Sequence, residues 1–315
     1  MRMLISRALP PSVMAAAETR FDVTARNGLG PMSEEECIEA LASHDIMLVT
    51  LGDALTARVF DAVKVPRRRL IANFGAGYNH IDVDAAHARG IAVTNTPGTV
   101  TEATADIAMT LILMTARRAG EGERMLRSGG WTGWHPVQML GLHVTGKRLG
   151  VIGMGRIGQA VARRCHFGFG MDISYTSRSE KTLDFPAARL DLPDLMATCD
   201  IAVVAVPAAP ETHHLIDARA LAAMQPHAIL INIARGDIVD ETALIAALQA
   251  GQLSGAGLDV YEYEPVVPKS LIEMENVTLL PHLGTAALEV REAMGRMALA
   301  NAEAFANSQP LMNPV

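Results

Sequence analysis

Residues 148–158 read Arg-Leu-Gly-Val-Ile-Gly-Met-Gly-Arg-Ile-Gly, and no other stretch restricts the fold as tightly. The apolar run Arg148–Ile152 has the length and composition of a buried strand. Gly153, Gly155 and Gly158 follow it in the spacing G-x-G-x-x-G and open a helical pattern. In such a strand–turn–helix the first glycine permits the tight turn. The second lets a pyrophosphate approach the backbone, and the third lets helix pack on strand. The amides of Arg156 and Ile157, at the helix start, then face the phosphates. A turn with merely structural glycines is the alternative, and the strand before and helix after favour a dinucleotide.

Short apolar runs alternate with helical patterns on both sides of this motif. Met3–Ser6, Ile46–Thr50, Leu70–Asn73 and Ala92–Thr94 read as strands, with helices over Met32–Leu41 and Asp53–Val63. Beyond the motif, strands are expected at Met171–Tyr175, Ile201–Val206, Ile229–Ile233, Gly255–Leu258 and Val277–Leu279. Helices are expected over Gly158–Phe167, Leu192–Thr198, Ala218–Met224 and Glu241–Ala250. Thr99 with Glu102 forms a capping-box pattern, predicting one long helix to about Leu126. Its composition implies burial on most sides, either inside the domain or against a second subunit. A last Ala/Met-rich helix spans Ala286–Asn307.

Alternating strands and helices predict an α/β fold with parallel sheets, and 315 residues allow two domains. The reading is two Rossmann-like, doubly wound parallel-sheet domains with an active-site cleft between them. The first is discontinuous, residues 1–98 and 286–315, and the dinucleotide-binding domain is residues 99–285. Lys plus Arg number 27 against 34 Asp plus Glu, and aromatic residues make up 4%. That balance offers neither the basic footprint nor the stacking surface of a nucleic-acid binder. Cys37, Cys165 and Cys199 lack disulfide-scaffold, redox or metal spacing, so a reducing cytoplasm and no metal are expected. The amino terminus has no long apolar core after its charges, and Ile107–Ala116 is shorter than the roughly 20 residues of a membrane span. No membrane partner is expected.

The strand after the glycine turn ends Tyr175-Thr176-Ser177-Arg178-Ser179, without the Asp or Glu that grips an NAD ribose. Ser177 and Ser179 offer hydrogen-bond donors, and Arg178 offers a guanidinium for a 2′-phosphate. NADP(H) is therefore the expected cofactor, with NAD(H) possible; a solvated surface arginine is the alternative. Further on, Arg235, Glu264 and His282 stand at the ends of apolar strands, where open α/β sheets bind ligands. A guanidinium clamps a carboxylate and carbonyl, an imidazolium protonates a forming alkoxide, and a carboxylate holds the imidazolium. Together they suit reduction of a 2-oxo acid.

The segments NFGAGYNHIDV, VTNTPGTVTEATAD, GVIGMGRIG, HHLIDARALAAMQPHAILINIARGDIVDETAL, GAGLDVYEYEP and LLPHLG occur in this order. In them the chain resembles the D-2-hydroxyacid dehydrogenases over essentially its whole length, above all the glyoxylate/hydroxypyruvate reductases. The resemblance implies that Arg235, Glu264 and His282 are catalytic and that the Ala76 and Gly77 amides receive the substrate carboxylate. It implies that Thr104, Val206, Pro207, Thr212, Ile233, Ala234, Asp259, His282 and Gly284 line the cofactor, Asp259 holding the nicotinamide amide. It also implies that the loop carrying Trp131 and Trp134 reaches a neighbour's substrate pocket in a homodimer, a buried structural tryptophan being the alternative. Glu264 stands where the family's formate dehydrogenases have Gln, which argues against that activity. Two other readings stay open: a broad-range 2-ketoacid reductase, and a dinucleotide-sensing interaction protein like the family's corepressors.

Overall fold

The computed structural model describes residues 1–63 and 69–315, which divide into two compact units. The first comprises Met1–Val100 and Thr285–Val315, the second Thr101–Gly284. In the first, β1 (Arg2–Ile5), α1 (Pro11–Glu18), β2 (Asp22–Ala25), α2 (Glu34–Ser43), β3 (Ile46–Val49), α3 (Ala57–Ala62), β4 (Arg69–Asn73), α4 (Val83–Ala88) and β5 (Ile91–Thr94) alternate. All strands are parallel, in the order β2-β1-β3-β4-β5.

Successive side chains of β1, β3, β4 and β5 enter opposite cores, which is why both neighbours in the sequence must be apolar. Leu4, Met47, Val49, Ile71 and Val93 pack with Leu41, Val59, Phe60 and Ala86 of α2, α3 and α4. Met3, Ile5, Ile46, Leu48, Leu70 and Ala72 face the other way, onto Val13 and Ala17 of α1 and onto the chain's last helix. Helix α2 starts at Glu34 because Ser33 caps it, its Oγ accepting the Glu36 amide while Glu36 accepts the Ser33 amide. Helix α3 starts later than the periodicity predicts. Asp53, completely buried, accepts the Met32 and Thr50 amides and holds an irregular turn where the first helical turn was expected.

The second unit contains α5 (Thr101–Ala116), α6 (Ala119–Arg127), β6 (Arg148–Ile152), α7 (Arg156–Phe169), β7 (Asp172–Thr176), β8 (Ala187–Arg189), α8 (Leu192–Thr198), β9 (Ile201–Val204), α9 (Ala218–Ala222), β10 (Ile229–Asn232), α10 (Glu241–Gln249), β11 (Gly255–Leu258), α11 (Lys269–Glu273) and β12 (Val277–Leu279). Helix α12 (Leu288–Ala306) then closes the first unit. The second sheet is parallel throughout, in the order β12-β11-β10-β9-β6-β7-β8. Strand order reverses between β6 and β9, the topological switch point of a doubly wound sheet. Helices α5 and α7 cover one face, with Leu149, Val151, Val203 and Ile231. Helices α8, α9 and α10 cover the other, with Ile152, Val204, Leu230 and Leu258.

One long helix to Leu126 does not form. Arg118 takes a left-handed conformation (φ 52°) between α5 and α6 and chelates Glu121 with Nε and Nη2. The Thr99–Glu102 capping box is absent too, because Thr99 Oγ1 donates to Thr96 O and Glu102 pairs with Arg164. Helix α5 is buried except for one stripe, Glu102, Asp106, Thr110 and Leu113. Among the described residues no helix is long and apolar enough to cross a membrane.

At the amino edge of this sheet Asp200 joins three strands. Its carboxylate accepts the Arg148 amide and Nε, the Arg148 Nη2 at 2.9 Å and His227 Nε2 at 2.7 Å. Burial pushes its pKa up, but the Arg148 and His227 hydrogen bonds outweigh it and hold the carboxyl well below the usual range. A depressed carboxylate stabilises the fold above its unfolded pKa of about 3.9 and loses that effect as pH falls through the folded value. Asp200→Asn should therefore lower stability by about 2–3 kcal/mol at pH 7. In denaturant titrations the gap from the parent protein should narrow below about pH 4.

Candidate active site

In a parallel sheet all strands end at one edge, and the loops after β6, β7, β9, β10, β11 and β12 carry nearly all the polar residues singled out above. The glycine turn sits at the switch point. Gly153 has φ 102°, and a Cβ there would come within 2.7 Å of Val206 N. A Cβ on Gly158 would lie 2.1 Å from Gly153 O, so α7 reaches the strand only because that position has no side chain. Gly155 differs: it caps α7, and a Cβ built on it meets nothing within 4 Å. The open space lies against the start of α7, whose first amides have no intrahelical acceptor. A turn closed by protein at two glycines and open at the third fits a dinucleotide phosphate.

After β7, Ser177 Oγ donates to Ser179 O, and Ser179 Oγ accepts Lys181 Nζ at 2.9 Å. Arg189, on β8, grips the same loop through its main chain: Nε and Nη2 donate to Ser177 O, and Nη2 also to Arg178 O. Arg178 thus stands on a loop that brings Lys181 and Arg189 alongside it, two cations that pattern reading did not single out. Adjacent parallel pairing of β7 with β8 is what delivers Arg189.

Beyond β9, the Thr212 hydroxyl donates to Pro207 O at 2.8 Å and accepts the Ala209 amide, fixing the loop that carries Val206 and Pro207. Beyond β10, the buried Asn232 accepts the Ala234 amide and donates to Arg235 O, shaping the turn through Ile233, Ala234 and Arg235. Arg235 Nη1 donates to Ala234 O at 2.7 Å. Burial lowers its pKa, opposed by the Glu264 and Asp237 charges, and a guanidinium remains charged under such a shift.

Glu264 and His282 meet directly, with Glu264 Oε2 2.8 Å from His282 Nδ1. Glu264 Oε1 accepts the Tyr261 amide at 3.0 Å. Burial raises the Glu264 pKa, but the His282 contact, the Tyr261 amide and the Arg235 charge together bring it below the ordinary value. His282 is left-handed (φ 54°), a conformation that a non-glycine residue keeps only when its surroundings impose it. Asp259 imposes it: its main-chain oxygen accepts the His282 amide, and its carboxylate accepts Leu283 N at 2.6 Å and Gly284 N at 2.9 Å. Thr104 Oγ1 donates to Gly284 O from α5. Burial raises the Asp259 pKa, and the Leu283 amide, the His282 charge and the Gly284 amide oppose it.

Ala76 and Gly77 belong to the first unit, in the turn after β4. Trp134 lies in the irregular stretch after α6 and is 79% exposed, and Trp131 is exposed as well. The buried structural tryptophan is thus ruled out. A cavity of about 400 Å³ in the second unit lies among Ile229, Ser254, Asn276 and Val277, at the strands' amino ends, away from these groups. Among the described residues no cluster of His, Cys, Asp or Glu could hold a metal ion.

Residues 109–284 match the family described as "D-isomer specific 2-hydroxyacid dehydrogenase, NAD binding domain". The chain is 43% identical to a glyoxylate reductase of Thermococcus gammatolerans, over 98% of its own length and 93% of the relative's. A Thermus thermophilus protein of solved structure is 40% identical, with a TM-score of 0.93 and complete coverage of both chains. The NADPH-dependent glyoxylate/hydroxypyruvate reductase of Sinorhizobium meliloti, solved with NADP and malonate, is 35% identical with a TM-score of 0.89, covering 100% of this chain and 96% of that one.

The glycines make separable predictions. Gly158→Ala should lower the unfolding temperature, since its Cβ overlaps Gly153 O. Gly155→Val should leave that temperature within about 2 °C, because a surface change with no overlap alters stability by less than about 0.5 kcal/mol. It should nevertheless abolish dinucleotide binding measured by nicotinamide fluorescence.

Proposed function

The chain belongs to the D-isomer specific 2-hydroxyacid dehydrogenase family, and from that membership we propose that it is an NADP(H)-preferring reductase of small 2-oxo acids, glyoxylate and hydroxypyruvate first, yielding 2-hydroxy acids of D configuration where a stereocentre forms. That it is an NAD(P)-dependent dehydrogenase follows from the family itself. The observation that carries the reading of a catalytically competent reductase is the 2.8 Å contact between His282 Nδ1 and Glu264 Oε2.

When bound, the reduced nicotinamide dinucleotide supplies a hydride to the carbonyl carbon. With Nδ1 engaged by Glu264, Nε2 of His282 is the nitrogen left to protonate the carbonyl oxygen. Through that contact Glu264 fixes the orientation of the ring. Arg235 holds the carboxylate and carbonyl of the 2-oxo acid in the forked geometry that an ammonium cannot reproduce. For oxidation of the hydroxy acid the same histidine, neutral, takes the proton. Asp259 keeps the His282 turn in place, and its burial suits a role beside an uncharged nicotinamide amide.

The proposed preference for NADP(H) rests on Arg178, with Lys181 and Arg189 beside it and no acid at the end of β7. Leu126, Trp131, Trp134, Val137 and Leu140 are exposed apolar side chains within one short segment. Such a stretch marks an interaction surface and supports a homodimer in which Trp134 covers the partner's substrate pocket. Cys37, Cys165 and Cys199 are buried free thiols, which supports a reducing, cytoplasmic setting.

Arg178→Ala should weaken NADPH binding roughly 10- to 100-fold, as one charged hydrogen bond is lost, with little change for NADH. Equal losses for both cofactors in equilibrium titrations would overturn the preference. His282→Ala should reduce glyoxylate turnover about 10²- to 10⁴-fold while dinucleotide affinity stays. Glu264→Gln keeps the shape and removes the charge, so glyoxylate turnover at pH 7 should fall roughly tenfold, the equivalent of one charge-assisted hydrogen bond, while dinucleotide affinity stays. In the parent protein the Glu264 contribution is present above the ordinary carboxylate range and lost as pH falls through its depressed value. Dinucleotide binding without NADPH-dependent turnover of any 2-oxo acid would point to a sensing role.

A further inference from the structure

Two asparagines of the first unit tie down the turn that follows β4. Asn73, the last residue of that strand and 1% exposed, donates from Nδ2 to Gly75 O and Gly77 O, both at 3.0 Å. Asn95, next after β5, donates from Nδ2 to Ala76 O at 2.8 Å. The Thr96 amide adds a bond to Gly75 O at 2.9 Å. The carbonyls of Gly75, Ala76 and Gly77 are therefore all held from within the protein. These peptides are trans, and in a trans peptide the N–H points opposite to the preceding C=O. The amides of Ala76, Gly77 and Tyr78 are thus turned away from the groups that hold the carbonyls. Among the described residues none of these amides has a hydrogen-bond acceptor.

Successive main-chain amides left without acceptors make an anion-binding nest, and their partial charges need no counter-ion of their own. We propose that Asn73 and Asn95 are positioning residues for the substrate carboxylate. They hold a nest of three amides in which Tyr78 N–H is the third member beside Ala76 and Gly77. This rests on the 2-oxo acid reading above and adds to it the groups that keep the nest in shape. The chemistry of the side chain explains the residue type. A carboxamide nitrogen carries two protons and serves two carbonyls at once, as Asn73 does; a carboxylate carries none and a hydroxyl only one. A nest preformed in this way binds a carboxylate without first having to order its own loop.

The test uses the full-length protein saturated with NADPH, with oxamate as an unreactive 2-oxo acid analogue followed by calorimetry. Asn95 is only partly buried, so Asn95→Ala is the variant of choice, with thermal unfolding recorded alongside. Oxamate affinity and the glyoxylate KM should each worsen about tenfold, the equivalent of one hydrogen bond to a charged group. The kcat and the NADPH dissociation constant should change less than about twofold if only ground-state carboxylate binding is touched. Asn95→Asp should be worse than Asn95→Ala, because a carboxylate repels both the Ala76 carbonyl and the bound anion, and Asn95→Gln should recover part of the loss. Unchanged oxamate affinity in Asn95→Ala overturns the inference and leaves the reductase reading standing. So does a fall in kcat with KM unmoved. Failure of oxamate to bind the unsubstituted protein, with NADPH bound, overturns both.

Discussion

In a parallel sheet the strands stop together, and beyond the last ladder bond each chain has peptide groups with no neighbouring strand to satisfy them. Burying such groups unpaired costs about 1–3 kcal/mol each, so something else has to meet them. In both units that something is a side chain at the end of an otherwise apolar strand. Asn73 closes Leu-Ile-Ala-Asn and Asn232 closes Ile-Leu-Ile-Asn, and each carboxamide bonds the turn that follows. Asp259 does the same past β11, its carboxylate reaching the turn after β12. Arg235 and His282 sit on turns made rigid in this way.

A division of labour follows. Arg235 is placed by Asn232, His282 by Asp259, and Glu264 by the Tyr261 amide. The left-handed backbone of His282 disfavours the free turn by roughly 1–2 kcal/mol, and the three hydrogen bonds to Asp259 more than offset it. Gly236 completes the arrangement, since a Cβ there would lie 1.8 Å from the Tyr261 carbonyl carbon. The turn bearing Arg235 can therefore lie directly on the turn bearing Glu264.

Much of this was legible in the linear chain. Uninterrupted apolar runs such as Ile46–Val49 and Ile201–Val204 announce strands buried on both faces, and helical patterns between them demand parallel pairing. The long motifs pointed to Arg235, Glu264 and His282. What periodicity could not reveal is which oxygen a polar side chain binds. Asp53 holds an irregular turn where helical spacing predicted α3, and Thr99 donates to Thr96 in place of capping α5. The short edge strands β2 and β8 are mostly exposed and carry little apolar signal, so Arg189 escaped notice. The signal that was available was a lone Asn ending an apolar strand, which is costly unless its carboxamide has work nearby.

The brace that Arg189 places on the β7 loop acts on main-chain oxygens only. The shape of residues 177–179 is consequently independent, at those contacts, of which side chains they carry. A lineage with this brace could exchange Arg178 for an acid, or the reverse, in one step and keep the loop.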